Sequence, residues 1–348
     1  MRKLLLSLSL FSLVSIILNS CKKGKDTNKY DVPTTYTFDS VDYSGQTTRL
    51  DMITELLTEV KKGNTSGTIV SAQKLKDMYA NINNQFTVAA LNTSGKKLKD
   101  KTFASEQTII ESYFDLLETA SQSTQPGSNG VAGIVGTRLY DANGIEYKEA
   151  IEKGLMGALI YYQISEVYLS ESEIGASIAK SNRQHHWDEA FGYYGVPVDF
   201  PSNLTGIRYW GKYGNERDVL LGVNATIMNA YLKGRAAINN DDNAEVTKQA
   251  SVIRENLEKV LAGTVLHYIN DAIDAFGDDN TRNHTLNEFT GIVRALKFNS
   301  AKKISDAQIA DILNLVGTNY YNVTLPNLNA AKNSLSTIYG MDAVKDQL

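Results

Sequence analysis

The sequence predicts an all-α fold, and three observations carry that prediction. Only five prolines, at positions 33, 126, 197, 201 and 326, occur in 348 residues, so long stretches lack the residue that breaks helices. Apolar residues in those stretches recur at steps of three and four, the period of one buried helix face. Segments rich in Gly, Ser, Asn and Thr at 64–68, 122–129 and 240–243 separate them, and no strand ladder is evident.

Residues 147–168 form the clearest helix, with Ile151, Leu155, Leu159, Gln163-Ile164 and Val167-Tyr168 on one stripe. This helix is expected to be central and largely buried. Gly154 and Gly157 lie one turn apart on it; they are either a site where a neighbouring helix comes close or two incidental glycines, and spacing leaves both open. Further amphipathic segments at 49–62, 72–81, 106–120, 216–239, 245–276, 286–298 and 306–316 bring the total to eight or more helices joined by long loops. Residues 30–45, where Thr and Tyr alternate, either pair as a short extended segment or lie along the bundle surface.

The first residues are read apart from the fold. Arg2 and Lys3 precede an apolar run to Leu18, and Leu18-Asn19-Ser20-Cys21 ends it with a small residue before a cysteine. That is the pattern of a lipoprotein signal peptide over residues 1–20, with Cys21 as the lipid-bearing first residue of the mature chain. Residues 21–30 are polar and basic and read as a flexible tether, leaving 31–348 as the folded part. Lys22 after the cysteine favours forwarding to the outer membrane, on its periplasmic side or at the cell surface. The membrane, through the lipid on Cys21, is the one partner this arrangement names.

Cys21 is also the sole cysteine. With it consumed by the anchor, disulfides, zinc thiolates and cysteine nucleophiles are excluded, and stability rests on packing. The net charge is −4 at pH 7, the signs are interspersed, and no basic block follows the tether, which argues against nucleic acid as a partner.

Candidate chemistry concentrates in Gln184-His185-His186-Trp187-Asp188-Glu189-Ala190-Phe191-Gly192-Tyr193-Tyr194-Gly195. On a helix, His186, Glu189 and Tyr193 fall in one stripe, and Trp187, Phe191 and Tyr194 in another. A histidine beside a carboxylate serves as two metal ligands, as a proton-transfer pair, or as a buried pair that locks a helix. A second pair, His284 and Glu288, stands one turn apart further on. If the two helices face each other, His186, Glu189, His284 and Glu288 complete a nitrogen and oxygen set suited to zinc or iron; otherwise His284 borders a helix near the acidic turn 278–280. His267 reads as a core histidine with one partner. Tyr193 and Trp210, with the aromatic loop 195–214, are candidate pocket walls. The spacing of a zincin, the Gly-x-Ser-x-Gly elbow, the Walker loop and a calcium loop are all lacking, so no strong enzyme motif is present.

The HHWDEAFGYYG string resembles the signature of a family of bacterial lipoproteins, domain of unknown function 4856, itself similar to the imelysin-like proteins with their His-x-x-Glu motif. YSGQTTRLDMITEL, KGLMGALIYYQ, RYWGKYGNERD, GRAAI and HTLNEF add to the resemblance across nearly the whole mature chain. It implies two packed helical bundles, with the motif helix at their junction near residues 185–215. It also implies iron-regulated uptake or a metallopeptidase, with His186 and Glu189 as the motif pair and Gln184 where imelysin proper has a glycine. The expected function is therefore a non-enzymatic binding or uptake component for a metal ion, iron favoured, or a metal-containing ligand. The alternatives are a metal-dependent peptidase or hydrolase with Glu189 as general base, and a structural or interaction module with a buried His-Glu pair.

Overall fold

A computed structural model describes residues 30–348, and thirteen α-helices form among them. The signal peptide, Cys21 and all of the expected tether except Tyr30 lie outside the described residues. In chain order the helices are α1 (Ser44–Lys61), α2 (Ala72–Ala80), α3 (Ala89–Asn92), α4 (Ala104–Ser121), α5 (Tyr147–Leu155), α6 (Glu171–Ile174), α7 (Lys180–Tyr194), α8 (Tyr209–Leu221), α9 (Asn224–Asn239), α10 (Asn243–Asp274), α11 (Asp279–Ala295), α12 (Asp306–Val316) and α13 (Leu325–Tyr339). Two strands of three residues, β1 (Gly133–Val135) and β2 (Arg138–Tyr140), pair antiparallel between α4 and α5, with Ile134 opposite Leu139. The fold is all-α with this one short hairpin. No helix among the described residues is long and apolar enough to cross a membrane.

The longest helix, α10, is the axis of Val32–Leu348, which packs as one unit. It starts where the Asp242 side chain accepts from the backbone N–H of Glu245, at 3.3 Å, satisfying one donor of the first turn. It then buries Val246, Ile253, Leu257, Leu261 and Val265 against α8, α9, α11 and α13. The single segment expected at 216–239 breaks at Gly222, which takes φ +62° between α8 and α9. Asp218 then accepts from the N–H of Asn224 at 2.7 Å and restarts the helix. The apolar stripe of α13, namely Leu328, Ala331 and Leu335, is diluted by asparagines, which is why periodicity does not single it out. Pro326 sits in its first turn, where a helix has no use for the missing N–H.

The segment 147–168 is central and buried as expected, but it is not one α-helix. After α5 it widens into π turns over Met156–Tyr161 and Gln163–Tyr168. Outside donors reach its carbonyls: the Trp210 indole N–H donates to Met156 at 2.9 Å, the Phe103 N–H to Ala158 at 2.8 Å, and Arg254 Nε to Ser165 at 2.8 Å. Three donors from distant parts of the chain, the buried Trp210 among them, are thereby satisfied at once. Gly157 is a close-approach glycine, because a Cβ there would lie 2.6 Å from the Cβ of Ala295 on α11.

Residues 30–43 form no strand. They run as a strap over α7 and α9, held by the buried Tyr36, whose N–H donates to Val198 O at 2.8 Å. Its ring stacks on Phe191 at 3.8 Å, and its hydroxyl donates to Asp188 Oδ1 at 2.7 Å. Arg235 Nε donates to the same oxygen at 2.9 Å.

The α7–α9 contact depends on a second glycine. A Cβ on Gly234 would stand 2.0 Å from the ring of Trp187, a fully buried indole whose N–H donates to Tyr231 O at 2.9 Å. Gly234→Ala is expected to lower folding stability by about 1–3 kcal/mol through overpacking. Gly277→Ala, where a Cβ meets open space, serves as the comparison. Urea unfolding of the two variants checks this, and equal midpoints would refute the steric account.

Candidate functional site in the cleft between α5 and α11

The conspicuous histidine string lies on α7, but His186 and Glu189 turn to different partners. His186 Nδ1 sits 3.0 Å from the backbone carbonyl of Glu173 and 2.9 Å from its carboxylate. Glu189 accepts from Gln46 Nε2 at 2.6 Å, and its other oxygen stands 3.7 Å from His185 Nε2. The polar stripe of α7 thus lies against α1 and the Glu173 turn. Tyr193 and Trp210 are both fully buried. Tyr193 stacks on Tyr168 with centroids 6.0 Å apart, while Trp210 is bound into the π segment. His267 is half-buried, and its Nε2 lies 3.3 Å from Asp271.

The second pair, His284 and Glu288, belongs to another place altogether. The helix α7 packs on α1 and α9, whereas α11 packs on α5 and α10; the two pairs therefore do not meet. His284 and Glu288 line a cleft of about 600 Å³ together with Glu146, Glu149, Glu152, Lys148 and Lys153 of the α5 segment. His186 and Glu189 are not on its walls.

Local sequence explains the convergence. Glu146, Glu149 and Lys153 are spaced by three and four residues, and His284 and Glu288 by four, so each set forms one stripe of its helix. Glu146 is the N-cap residue of α5 without capping it by its side chain. Its carboxylate turns instead to His284 Nδ1 at 2.7 Å. Asn287 Nδ2 donates to Gly144 O at 3.0 Å and the Tyr140 hydroxyl to Asn280 O at 2.6 Å, which clamps the loop before α5 onto α11.

The charges are buried and nearly balanced. Glu146, Glu149 and Lys153 are each at most 1% exposed. Lys153 Nζ lies 3.2 Å from Glu149 Oε2, 3.3 Å from Glu152 and 3.0 Å from Glu288, and donates to the Tyr213 hydroxyl at 2.7 Å. Lys148 pairs with Glu149 and, at 2.8 Å, with Glu152. Arg138 Nε stands 3.9 Å from Glu146. Four carboxylates thus face two lysines and one arginine, so the group lacks one positive charge unless His284 is protonated. One oxygen is left over as well: Glu149 Oε2 is buried without a hydrogen-bond donor, because Lys153 is near it but out of line.

The titration of the cluster follows this geometry. Burial pushes the Glu146 carboxyl up; the His284 hydrogen bond takes part of that rise back, and the neighbouring Glu149 charge adds to it. Burial would raise Glu149 too, but Lys153, Lys148 and His284 outweigh it and hold that carboxyl below its usual range. Burial alone would lower His284; Glu146, through a hydrogen bond and its charge, then Glu149 and Glu288 reverse the direction and raise it. Two adjacent carboxylates shifted in opposite directions beside an imidazole are the kind of perturbation that marks functional sites.

Among the described residues, Glu146, Glu149 and His284 form the one group of three whose potential ligand atoms lie within 4.8 Å of one another. His284 was recognisable from its His-plus-carboxylate spacing. Glu146, Glu149 and Lys153 were not, because charged residues on an amphipathic helix ordinarily read as its solvated face. The signal that was available is the three- and four-residue ladder of opposite charges on a helix whose other positions are apolar.

The family model described as Domain of unknown function (DUF4856) matches residues 33–341. The chain belongs to that family. No curated protein and no solved structure matches the chain significantly. The DUF4856 match spans α1 to α13 and includes both the α7 string and the α5–α11 cleft.

The two histidine regions differ in what holds them, and stability measurements read that difference. Lys153→Met removes the cation from a buried group of carboxylates and is expected to cost about 3–5 kcal/mol. His186→Ala breaks a partly exposed pair and is expected to cost no more than about 1 kcal/mol. Denaturant midpoints of both variants check this; a larger loss in His186→Ala than in Lys153→Met would reverse the assignment of the buried electrostatic centre.

Proposed function

We propose that the protein is a non-enzymatic binding component of the cell envelope that takes a divalent cation at Glu146, Glu149 and His284. The observation that carries this reading is the approach of three ligand atoms from those residues to within 4.8 Å of one another. Two oxygens and one imidazole nitrogen form a set suited to zinc or ferrous iron. A bound cation would supply the missing positive charge; the Glu149 oxygen that stands nearest His284 Nδ1 is Oε1, at 3.7 Å. Glu288, 3.3 Å from His284 Nε2, would accept from that nitrogen while Nδ1 binds the ion, which orients the ring. The envelope location, at the outer membrane through a lipid on Cys21, is supported by the basic, apolar and small-residue sequence before that cysteine. The resemblance to imelysin-like proteins supports a role in metal uptake. Glu189, the general base in a hydrolytic reading, stands on α7 outside this cleft, so binding is the reading we carry.

Calorimetric titration of the full chain with zinc, purified without chelators or a histidine tag, tests the proposal. Zinc is expected to bind one per chain, with affinity reduced more than about tenfold in Glu149→Gln and His284→Ala and unchanged in His186→Ala. No binding by the native chain, or equal binding by all variants, would sink it.

The same titration has a pH signature. His284 binds a cation only without its proton, and its neighbours raise its affinity for that proton. Zinc affinity is therefore expected to weaken as the pH falls through and below the raised value for this histidine. An affinity independent of pH between about 6 and 8 would remove His284 from the ligand set.

A further inference from the structure

The cleft is far larger than a bare ion needs. Its volume of about 600 Å³ falls in the range of small-molecule sites. It adjoins a second hollow of about 300 Å³ between α1, α5 and the start of α8. The two share Lys61, Lys148, Glu152, Lys212 and Tyr213 as walls, so they adjoin as one groove divided by those side chains. The larger hollow carries the buried acid cluster; Lys61 and Lys212 stand on the walls common to both.

Those two basic side chains are exposed and at most weakly paired. Lys61, the last residue of α1, is exposed and makes no ion pair among the described residues. Lys212 reaches only Glu216, at 3.7 Å, with more than half its side chain exposed. Lys148 and Lys153, by contrast, are bound to the glutamates beneath. A groove with a cation seat at its floor and, at its rim, the unpaired Lys61 and the exposed Lys212 beside Glu216 matches a ligand that is cationic at its centre and anionic at its edge.

Resting on the cation reading above, we propose that the natural ligand is a metal ion already held by a small polycarboxylate carrier. The ion meets Glu146, Glu149 and His284, and the outer carboxylates of the carrier meet Lys61 and Lys212. Rim lysines carry no geometric code, so the class of carrier is set by negative charge and by the volume of the groove.

Equilibrium dialysis of the full chain with isotopically labelled zinc and labelled citrate tests this. Citrate retention is expected only when zinc is present, at one citrate per zinc, and to fall by at least about tenfold in the Lys61→Ala/Lys212→Ala double variant. Zinc retention in citrate-free buffer reads the ion seat separately. Zinc retained with citrate left free would overturn the carrier proposal and leave the cation reading standing. Citrate retained without zinc, or retained equally by the double variant, would also overturn it. Zinc not retained in any buffer would bring down the cation reading itself.

Discussion

The buried electrostatic contact between α5 and α11 is the constraint on which the centre of this structure depends. Lys153 cannot enter the interior alone, and neither can Glu149 or Glu288, because a lone buried charge costs several kcal/mol. Each is tolerable only opposite the others, so the stripe on α5 and the stripe on α11 must align in one register. That register brings Gly157 against Ala295. It also brings Glu146 to His284, where the chain before α5 is clamped by Asn287 and Tyr140.

The balance of that contact is what gives it chemical potential. A fully neutralised cluster would be inert packing, but this one carries a carboxylate oxygen without a donor and lacks a positive charge whenever His284 is neutral. A proton on His284 and a cation between the carboxylates are alternative ways to close the deficit. The carboxylates attract either one more strongly in a low local dielectric, while burial itself works against the proton on His284. At the rim of the groove Lys61 and Lys212 face solvent, Lys212 beside Glu216.

The π turns after α5 solve a different problem. The carbonyls of Met156 and Ala158 accept from the buried Trp210 indole and the Phe103 N–H. Through such bonds α8, α10 and the segment before α4 all attach to this one element. The histidine string on α7 has a comparable packing role. Trp187 lies on Gly234, and Asp188 ties Tyr36 to Arg235, so that the strap at 30–43 closes over α7 and α9.

The sequence by itself determined the all-α class and most helix positions, because proline scarcity and three- and four-residue apolar spacing are local properties that survive any arrangement of the helices. It also identified His284 and Glu288 as neighbours, since four residues on a helix place them on one face. What only the tertiary structure decided is which faces meet. His186 and Glu189 share a stripe yet turn to Glu173 and Gln46, and His284 finds Glu146 and Glu149, more than a hundred residues earlier. Nothing in the local spacing of Glu146, Glu149 and Lys153 distinguishes a solvated charge ladder from a buried one. The difference is made by α11 covering it, a long-range contact that buries Ile151, Leu155, Phe289 and Ile292 as well and tolerates the charges only because they are paired.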